Sequence, residues 1–298
     1  MRTTKLFTPD LLDRFRKEGR GHGTYIRYRP WHGVSRGDPA SLGRSHLMTW
    51  GGRQRNLLSD DEWVASLFTP LTPGSDDLRE QFPLSLESAC HELGAYDVRL
   101  GKSGFPGTIE IARQLGYRHP RVNGNGRSAP WVFTTDLLFT LMDETGTRKL
   151  LAVACKPTAK QEESKKKLLA IERAYWLARD VEWLFITPDQ YDEAIELTLR
   201  TSFQWWQGEP IAEDAKRAAT ALARQLSGFP LTYVLDRIDE LLGQGLEYAQ
   251  VAFWQSVWTR ELPLDLRRGW RPHLPIEFVS PSDFLAFNPI ASRRTAWN

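Results

Sequence analysis

The stretch WVFTTDLLFTLMDETGTRKLLAVACK, residues 131–156, predicts two β-strands that are joined by a tight turn. The first strand, residues 132–142, is mostly apolar and carries a single acidic residue, Asp136. The turn contains a glycine, which supplies the backbone freedom that a hairpin needs. The second strand, residues 150–155, is short and apolar, and Lys156 follows it directly. The stretch therefore predicts a hairpin with an acid on one strand and a lysine at the end of the next.

Asp136 needs a partner, because its neighbours are apolar and a buried carboxylate is costly unless its charge is offset. Lys156 is one candidate partner, and a divalent metal ion is another. An acid, a hairpin and a lysine that closes the next strand form the layout of a metal-dependent nuclease. The alternative is a surface hairpin with an ordinary ion pair, and this stretch alone leaves both interpretations open.

Length and composition limit the class of protein. The 298 residues allow two domains or one large domain, and 41% hydrophobic residues are enough for proper cores. The two cysteines, Cys90 and Cys155, are far apart and lack metal-binding spacing, which indicates a reducing, cytoplasmic location. No apolar run reaches the ~18 residues of a membrane span, and the N-terminus lacks a signal-peptide core. We therefore expect a soluble protein with no membrane association.

Basic residues dominate the stretch from Arg14 to Arg55, although the net charge of the whole chain is only +2. Aromatic residues are interleaved with these basic residues, and Thr24 to Arg29 alternates as a strand does. Arginines among aromatics suit contacts to phosphates and stacking on bases or sugars. The alternative is a solvated, loop-rich surface. The predicted DNA-binding residues are Arg27, Arg29, Arg36, Arg44, Arg53 and Arg55.

The segment NLLSDDEWVASLFTPL, residues 56–71, predicts a short amphipathic helix. Ser59 followed by Glu62 is the pattern of a capping box, in which each residue bonds the backbone of the other. Glu62 therefore has two interpretations. It caps its own helix, or the helix packs on the sheet and directs Glu62 at Asp136.

The remaining pattern predicts an α/β first domain and a helical second domain. Further helices are predicted over residues 9–20, 84–94, 108–115 and 160–180, and a further strand over 181–186. Residues 1–187 then form a mixed sheet flanked by helices, with the acidic hairpin at its centre. Residues 188–298 contain four amphipathic helices, 189–206, 213–226, 231–242 and 245–260, and then a short basic hairpin. That order predicts a winged-helix-like domain that binds DNA or a protein partner.

With Glu62, Asp136 and Lys156 identified, the first half of the chain resembles the TnsA family, the endonuclease subunits of heteromeric transposases. The order and spacing of several stretches match that family over about residues 20–190. The matching stretches are LLSDDE at 57–62, DLREQFPL at 77–84, IEIARQLGYRHP at 109–120, TTDLL at 134–138, CKP at 155–157 and IERAYW at 171–176.

The resemblance implies a restriction-endonuclease-like first domain and a Mg²⁺-dependent DNA endonuclease, for which Mn²⁺ is a substitute cofactor. It implies cleavage of the 5′ ends of a transposon, on the non-transferred strands. The implied partners are DNA at the transposon ends, a TnsB-type transposase that cuts the 3′ ends, and a TnsC-type ATPase. Carried over by motif, the family's active-site positions fall on Glu62, Asp136, Ala154 and Lys156.

Ala154 departs from the family pattern, because a methyl group stands where the family has a glutamine or an acid. Three outcomes follow. The metal is held by Glu62, Asp136 and the backbone carbonyl of Cys155 with added water, or a carboxylate from elsewhere substitutes. Otherwise the site is weakened, and the chain is a DNA-binding assembly subunit. Mg²⁺ keeps several waters and needs few protein oxygens, so we expect retained activity. A defence endonuclease of the same fold is a further alternative.

Overall fold

The computed structural model describes residues 6–41 and 43–297. Within these residues the chain combines α-helices with a mixed β-sheet, which confirms the predicted α/β class. None of the helices in the described part of the chain is both long and apolar enough to cross a bilayer.

The chain divides into two compact units, and each is assembled from separate stretches. The first runs to Trp63, resumes over Gly74–Thr187 and takes in Ala296 and Trp297. The second comprises Val64–Pro73 and Pro188–Thr295. The predicted domains are instead each continuous in sequence.

The strands all belong to the first unit, and the helices are divided between the two. The strands are β1 (His46–Trp50), β2 (Arg53–Leu57), β3 (Ser75–Pro83), β4 (Arg121–Gly124), β5 (Arg127–Pro130), β6 (Thr134–Met142), β7 (Arg148–Cys155) and β8 (Glu182–Ile186). The helices are α1 (Pro9–Lys17), α2 (Asp60–Leu67), α3 (Thr108–Gln114), α4 (Glu163–Leu177), α5 (Glu193–Trp206), α6 (Glu213–Gln225), α7 (Leu231–Leu242), α8 (Leu246–Trp258), α9 (Leu266–Gly269) and α10 (Pro281–Ala286).

The central sheet has the strand order β3-β6-β7-β8, and the predicted hairpin supplies its two inner strands. β3, β6 and β7 pair antiparallel, whereas β7 and β8 pair parallel. The register of the hairpin runs from Leu137 opposite Val153 to Met142 opposite Arg148. The first strand of the hairpin begins two residues later than predicted, and the second strand begins two residues earlier. The two strands are therefore nearly equal in length.

One face of this sheet carries the main core of the first unit. Leu138, Ala152, Ala154 and Phe185 pack there in one cluster with Trp176 of α4. Side chains two residues apart on a strand share a face, which explains why these positions recur with a spacing of two. The hairpin is therefore an interior element of the unit and not a surface ribbon.

Two predictions made from local sequence pattern are wrong. Residues 84–94 form no α-helix, because Ala89 pairs its backbone with Phe105 in an antiparallel bridge. Residues 24–29 form no strand, because Tyr25 adopts a positive φ and its N–H donates to Asp77. In both cases a contact with a distant residue replaces the local preference.

The second unit is helical where it is described. Helices α5 to α8 occupy the four predicted positions, and Gly243 ends α7 in the left-handed conformation. The predicted basic hairpin instead contains the short helix α9, flanked by an isolated bridge between Leu264 and Phe278. No strand is found among the residues described in this unit, so a winged-helix-like arrangement is not confirmed.

Candidate active site

Asp136 and Lys156 meet where the start of β6 lies beside the end of β7. The Lys156 Nζ donates to Asp136 Oδ2 at 2.7 Å, and the backbone N–H of Cys155 donates to the same oxygen at 2.8 Å. Lys156 Nζ also donates to the carbonyl oxygen of Cys155 at 2.9 Å. The Asp136 side chain is 11% exposed and that of Lys156 34%, so the pair opens to solvent on the lysine side.

Glu62 lies in the first turn of α2 and is only 5% exposed. Its backbone N–H donates to Ser59 Oγ at 3.2 Å, as the capping-box pattern predicts. Its carboxylate accepts from the N–H of Leu58 at 2.7 Å and from Gln81 Nε2 at 2.9 Å. Gln81 belongs to β3, so Glu62 both caps its helix and faces the sheet.

The carboxyl groups of Glu62 and Asp136 share one electrostatic environment. Burial and the negative charge of Asp136 together raise the pKa of Glu62 to about 8, against the opposing effects of the Leu58 N–H and Lys156. Two like charges perturb each other this way only when they are close and poorly solvated. Two acids that are 74 positions apart in the chain are thus close enough for their charges to interact, and Lys156 acts on both.

This environment predicts that the metal-free protein loses stability as the pH rises. The pKa of Glu62 is 4.5 ordinarily and about 8 in the folded chain. Between these values the unfolded chain releases a proton that the folded chain keeps, which favours unfolding by at most about 1.4 kcal/mol per pH unit. We expect Glu62→Gln to remove the part of this slope that Glu62 contributes, most clearly above about pH 7, where Glu172 has also lost its proton in the folded chain. The measurement is urea unfolding in a chelator from about pH 5 to about pH 9. Glu87→Gln, at an exposed glutamate, is the control that keeps the slope.

Lys156 stays protonated at neutral pH. Burial disfavours its charged form, but Asp136, Glu172 and Glu62 outweigh burial and raise the pKa of the ammonium. An amine that keeps its proton cannot take one from water, so Lys156 is suited to offset negative charge and not to act as a general base.

Ala154 is fully buried in the core and supplies no polar atom to this site. It packs with Ala152 and Phe185 in the main core cluster and pairs with Phe185 across β7 and β8. The departure from the family pattern is therefore matched by close packing around the methyl group.

Glu172 is a fourth charged residue of the site that the sequence analysis did not identify. It lies on α4, is 6% exposed, and accepts at Oε1 from Thr135 Oγ1 at 2.9 Å and from Trp183 Nε1 at 3.2 Å. Burial and the negative charge of Asp136 together raise its pKa to about 7, and Lys156 opposes the rise. A signal was present, because Glu172 is three residues from Tyr175 and four from Trp176, on the helix face that is otherwise apolar.

Asp61 also interacts electrostatically with residues of the site. Burial raises its pKa, Asp60 and Asp136 raise it further, and Lys156 and Arg44 oppose the rise. The charges of two consecutive acids at the start of α2, Asp61 and Glu62, thus interact with those of Asp136 and Lys156.

A divalent cation would be held here by oxygen atoms only. The Cys155 thiol is buried and its pKa is raised well above the usual range, so only the carbonyl of Cys155 can serve as a ligand. Among the described residues no group of three or more His, Cys, Asp or Glu side chains has the geometry to hold a metal. The donors on hand are the carboxylates of Glu62 and Asp136 and that carbonyl, which suit a hard cation that retains water.

Four of the six arginines predicted to bind DNA are exposed in the first unit. They are Arg27, Arg29, Arg36 and Arg44. Arg29 donates to the carbonyl of Glu18 at 2.9 Å. The charge of Arg44 opposes the rise in the pKa of Asp61, so Arg44 lies within electrostatic range of the candidate site.

The other two, Arg53 and Arg55, are buried on β2 and hold the fold together. Arg53 donates from both terminal nitrogens to the two carboxylate oxygens of Glu80, at 2.6 and 2.5 Å. Arg55 donates to the carbonyl of Leu78 at 2.5 Å and reaches the same carboxylate. The structure assigns these two guanidinium groups to folding and not to phosphate contact, because Glu80 has no exposure and needs their charge.

Comparison with known proteins shows the family to which this chain belongs. A family model described as the TnsA-like endonuclease N terminal matches residues 77–188. The Transposon Tn7 transposition protein TnsA of Escherichia coli is 30% identical over 222 residues, which cover 74% of this chain and 68% of that protein. The chain belongs to the TnsA family. This is a family of transposase endonuclease subunits, and the residues matched by the TnsA-like model include Asp136, Ala154, Lys156 and Glu172, whereas Glu62 precedes them.

Proposed function

We propose that this chain is a metal-dependent DNA endonuclease subunit of a transposase, with a restriction-endonuclease-like first unit. Its reaction is cleavage of the 5′, non-transferred strands at transposon ends during cut-and-paste transposition. The observation that supports this most strongly is the ion pair of Asp136 and Lys156 at the end of an internal hairpin, with the buried carboxylate of Glu62 close enough for its charge to interact with both.

The donor set fits Mg²⁺, with Mn²⁺ as a substitute. Glu62, Asp136 and the Cys155 carbonyl would hold the ion, since Mg²⁺ needs few protein oxygens and keeps several waters. When bound, the ion supplies Lewis acidity and relieves negative charge at the scissile phosphate. The raised pKa of Glu62, which comes first from burial and then from the charge of Asp136, is consistent with this role, because a bound cation would favour the ionised form of both acids.

Side chains of the protein stabilise charge and orient the acids in this proposal. Lys156 keeps its positive charge and stabilises the negative charge that develops on the phosphate or orients the attacking water. Gln81 and the N–H of Leu58 fix the direction of the Glu62 carboxylate, and the N–H of Cys155 fixes that of Asp136. These hydrogen bonds hold the acids in place before DNA arrives.

Glu172 is the carboxylate that compensates for Ala154 in this proposal. Its negative charge interacts with the charges of Asp136 and Lys156. Hydrogen bonds from Thr135 and Trp183 fix the position of its carboxylate. Both of these donors bond the same oxygen, Oε1, which leaves Oε2 to accept from water that is bound at the site.

Placing the glutamine of the family pattern at position 154 should therefore leave the protein folded, and cleavage should not depend on it. Ala154→Gln places a larger side chain in a packed core, which costs about 1–3 kcal/mol of stability, while cleavage should be kept or raised. The measurement is thermal unfolding together with nicking rates on end-containing DNA. Ala152→Gln overpacks the same face two residues away and is the matched control. A large loss of cleavage in Ala154→Gln alone would mean that the site is built around the methyl group.

The exposed arginines Arg27, Arg29, Arg36 and Arg44 form the proposed DNA surface. Their role is sequence-independent contact with phosphates, which makes affinity fall as salt rises. We leave Arg53 and Arg55 out of this surface because Glu80 engages both.

The proposed partners are DNA at the transposon ends, a TnsB-type transposase and a TnsC-type ATPase. The helical second unit is the proposed partner-binding or DNA-binding part, and a winged-helix-like function belongs to the same proposal. The proposed location is the cytoplasm.

The alternative function is a catalytically weakened, DNA-binding assembly subunit. The buried methyl group of Ala154 is the observation that favours it. Calorimetric titration with Mn²⁺ distinguishes the two functions. Binding that is lost in Glu62→Gln supports the nuclease, whereas no binding at about millimolar Mn²⁺ supports the assembly role.

A further inference from the structure

A loop over residues 21–29 of the first unit displays one exposed apolar side chain next to positive charges. Ile26 is 67% exposed and lies in the 3₁₀ turn Tyr25–Arg27. Arg27 and Arg29 follow it, and both are exposed. A single exposed isoleucine is common on protein surfaces. Its meaning therefore depends on how the loop holds it and on the charges around it.

The two ends of this loop are joined by backbone hydrogen bonds. The N–H of Gly21 donates to the carbonyl of Arg29 at 2.6 Å, and the N–H of Arg29 donates to the carbonyl of His22 at 3.1 Å. Gly23 has a φ of +93°, and a side chain there would clash with the backbone of Arg27. Only glycine fits this bend, so the loop closes tightly on itself.

Tyr25, the residue before Ile26, is fixed at both its backbone and its side chain. Its φ of +50° is unfavourable for tyrosine and persists only where the surroundings hold it. Its N–H donates to Asp77 Oδ2 at 2.9 Å, and its hydroxyl donates to Asp76 Oδ2 at 2.7 Å. Arg148 Nε donates to the same oxygen of Asp76 at 3.0 Å. The backbone that presents Ile26 is thus held in place before any partner binds.

The loop is attached to the strand that also supports the candidate active site. The N–H of Trp31, just after the loop, donates to the carbonyl of Gln81 at 3.1 Å, and the side chain of Gln81 donates to Glu62. Asp77 and Gln81 are four residues apart on β3, which is roughly 13 Å. This is less than half of the ~34 Å turn of a DNA duplex. One bound duplex can therefore reach both the loop and the acids.

The charges beside Ile26 match DNA. Among the described residues, neither Arg27 nor Arg29 forms an ion pair with an acid, and Arg29 donates only to the carbonyl of Glu18. Ile26 lies against the turn between β1 and β2, since a Cβ at Gly52 would be 3.0 Å from its Cγ2. Proteins that bind the minor groove place an apolar wedge between base steps and basic side chains near the phosphates. An exposed isoleucine with two unneutralised guanidinium groups has this composition.

We propose that Ile26 is a wedge that enters the minor groove and partly unstacks one base step, while Arg27 and Arg29 contact the neighbouring phosphates. The inference rests on the proposed function, because it needs a duplex bound to the first unit. It adds a way to select DNA without a hydrogen bond to any base, since some steps open at lower cost than others. Flexible pyrimidine–purine steps such as TA are the expected preference.

The test uses the full-length protein, no divalent metal, and end-containing duplexes in which 2-aminopurine replaces one adenine at a time. The replaced positions lie within about five base pairs, or half a helical turn, of the scissile bond. The fluorescence of 2-aminopurine rises when the base is unstacked. We expect the wild type to raise it at one step, Ile26→Ala to abolish the rise, and Ile26→Leu to keep it, because leucine has a similar volume. Val98→Ala, at another exposed β-branched residue of this unit, is the matched control that keeps the wild-type rise.

Affinity separates the wedge from the charges. Unstacking a step costs free energy that the wedge contact offsets, so Ile26→Ala should change DNA affinity by less than about tenfold. It should leave the salt dependence of binding unchanged. Arg27→Gln should instead weaken binding to all sequences and reduce the slope of log K against log salt by about 1.

The outcomes distinguish failure of the wedge from failure of the nuclease. If DNA binds but no step shows a rise, or if the rise survives in Ile26→Ala, the wedge is overturned, and cleavage by the wild type in Mg²⁺ would still support the nuclease. A rise that Ile26→Ala abolishes, without cleavage in Mg²⁺, supports the wedge and overturns the nuclease. No binding of duplex overturns both. If Ile26→Ala keeps the rise and lowers cleavage only with the TnsB-type transposase present, Ile26 contacts a protein and the wedge is overturned.

Discussion

Asp136→Asn should lose both divalent-cation binding and DNA cleavage while the fold stays intact. Asparagine keeps an oxygen that can accept from the N–H of Cys155, so the hairpin keeps this contact. It removes the negative charge that Lys156 and a cation would share. Loss of several kcal/mol of charge stabilisation corresponds to about 10³-fold or more in rate. The measurements are nicking rates on end-containing DNA and Mn²⁺ calorimetry, with circular dichroism to verify folding.

The control for this prediction is Glu144→Gln, which removes an exposed acid from the turn of the same hairpin. It should bind Mn²⁺ and cut DNA as the wild type does. If Asp136→Asn were to cut at a rate within a few-fold of Glu144→Gln, the carboxylate of Asp136 would have no part in the chemistry.

Glu172→Gln should lower cleavage and Mn²⁺ affinity by about 10–100-fold, the usual cost of losing a residue that supports metal ligands. Glutamine keeps an oxygen for Thr135 and Trp183, so packing is preserved and only the charge is lost. The measurements are the same nicking assay and the same calorimetry. Glu163→Gln, at an exposed position on α4, should leave both quantities unchanged.

A double variant tests whether Glu172 compensates for Ala154. If it does, Ala154→Gln should restore part of the activity that Glu172→Gln removes, so the two changes will not be additive. Additive losses would instead assign Glu172 to an independent role, such as support of Thr135 alone.

The hairpin could be predicted because its information is local. Two apolar runs, a glycine turn and a terminal lysine all lie within one stretch, and β6 and β7 match it closely. The role of Glu62 could also be predicted, since the capping pattern placed it at the start of a helix and the family resemblance placed it in the active site. The structure then showed that one carboxylate both contacts the backbone of its own helix start and faces the sheet.

Other features depend on contacts that no local pattern contains. Glu172 lies on a helix face that periodicity treats as apolar, and its partners Thr135 and Trp183 come from two separate strands. Arg53 and Arg55 count as positive charge in the sequence, but both are buried and pair with Glu80 across the β2–β3 contact. A count of arginines therefore overestimates the surface that can contact DNA.

The most direct test of the central claim is strand-specific cleavage of a duplex that contains a transposon end, with Mg²⁺ and the TnsB-type transposase present. The wild-type chain should add breaks on the 5′ strands, and Asp136→Asn should add none while the 3′ breaks made by the transposase continue. Equal 5′ breaks with both proteins, or no 5′ breaks with wild-type protein assembled on the DNA, would contradict the claim that two acids and one lysine form the cleaving site.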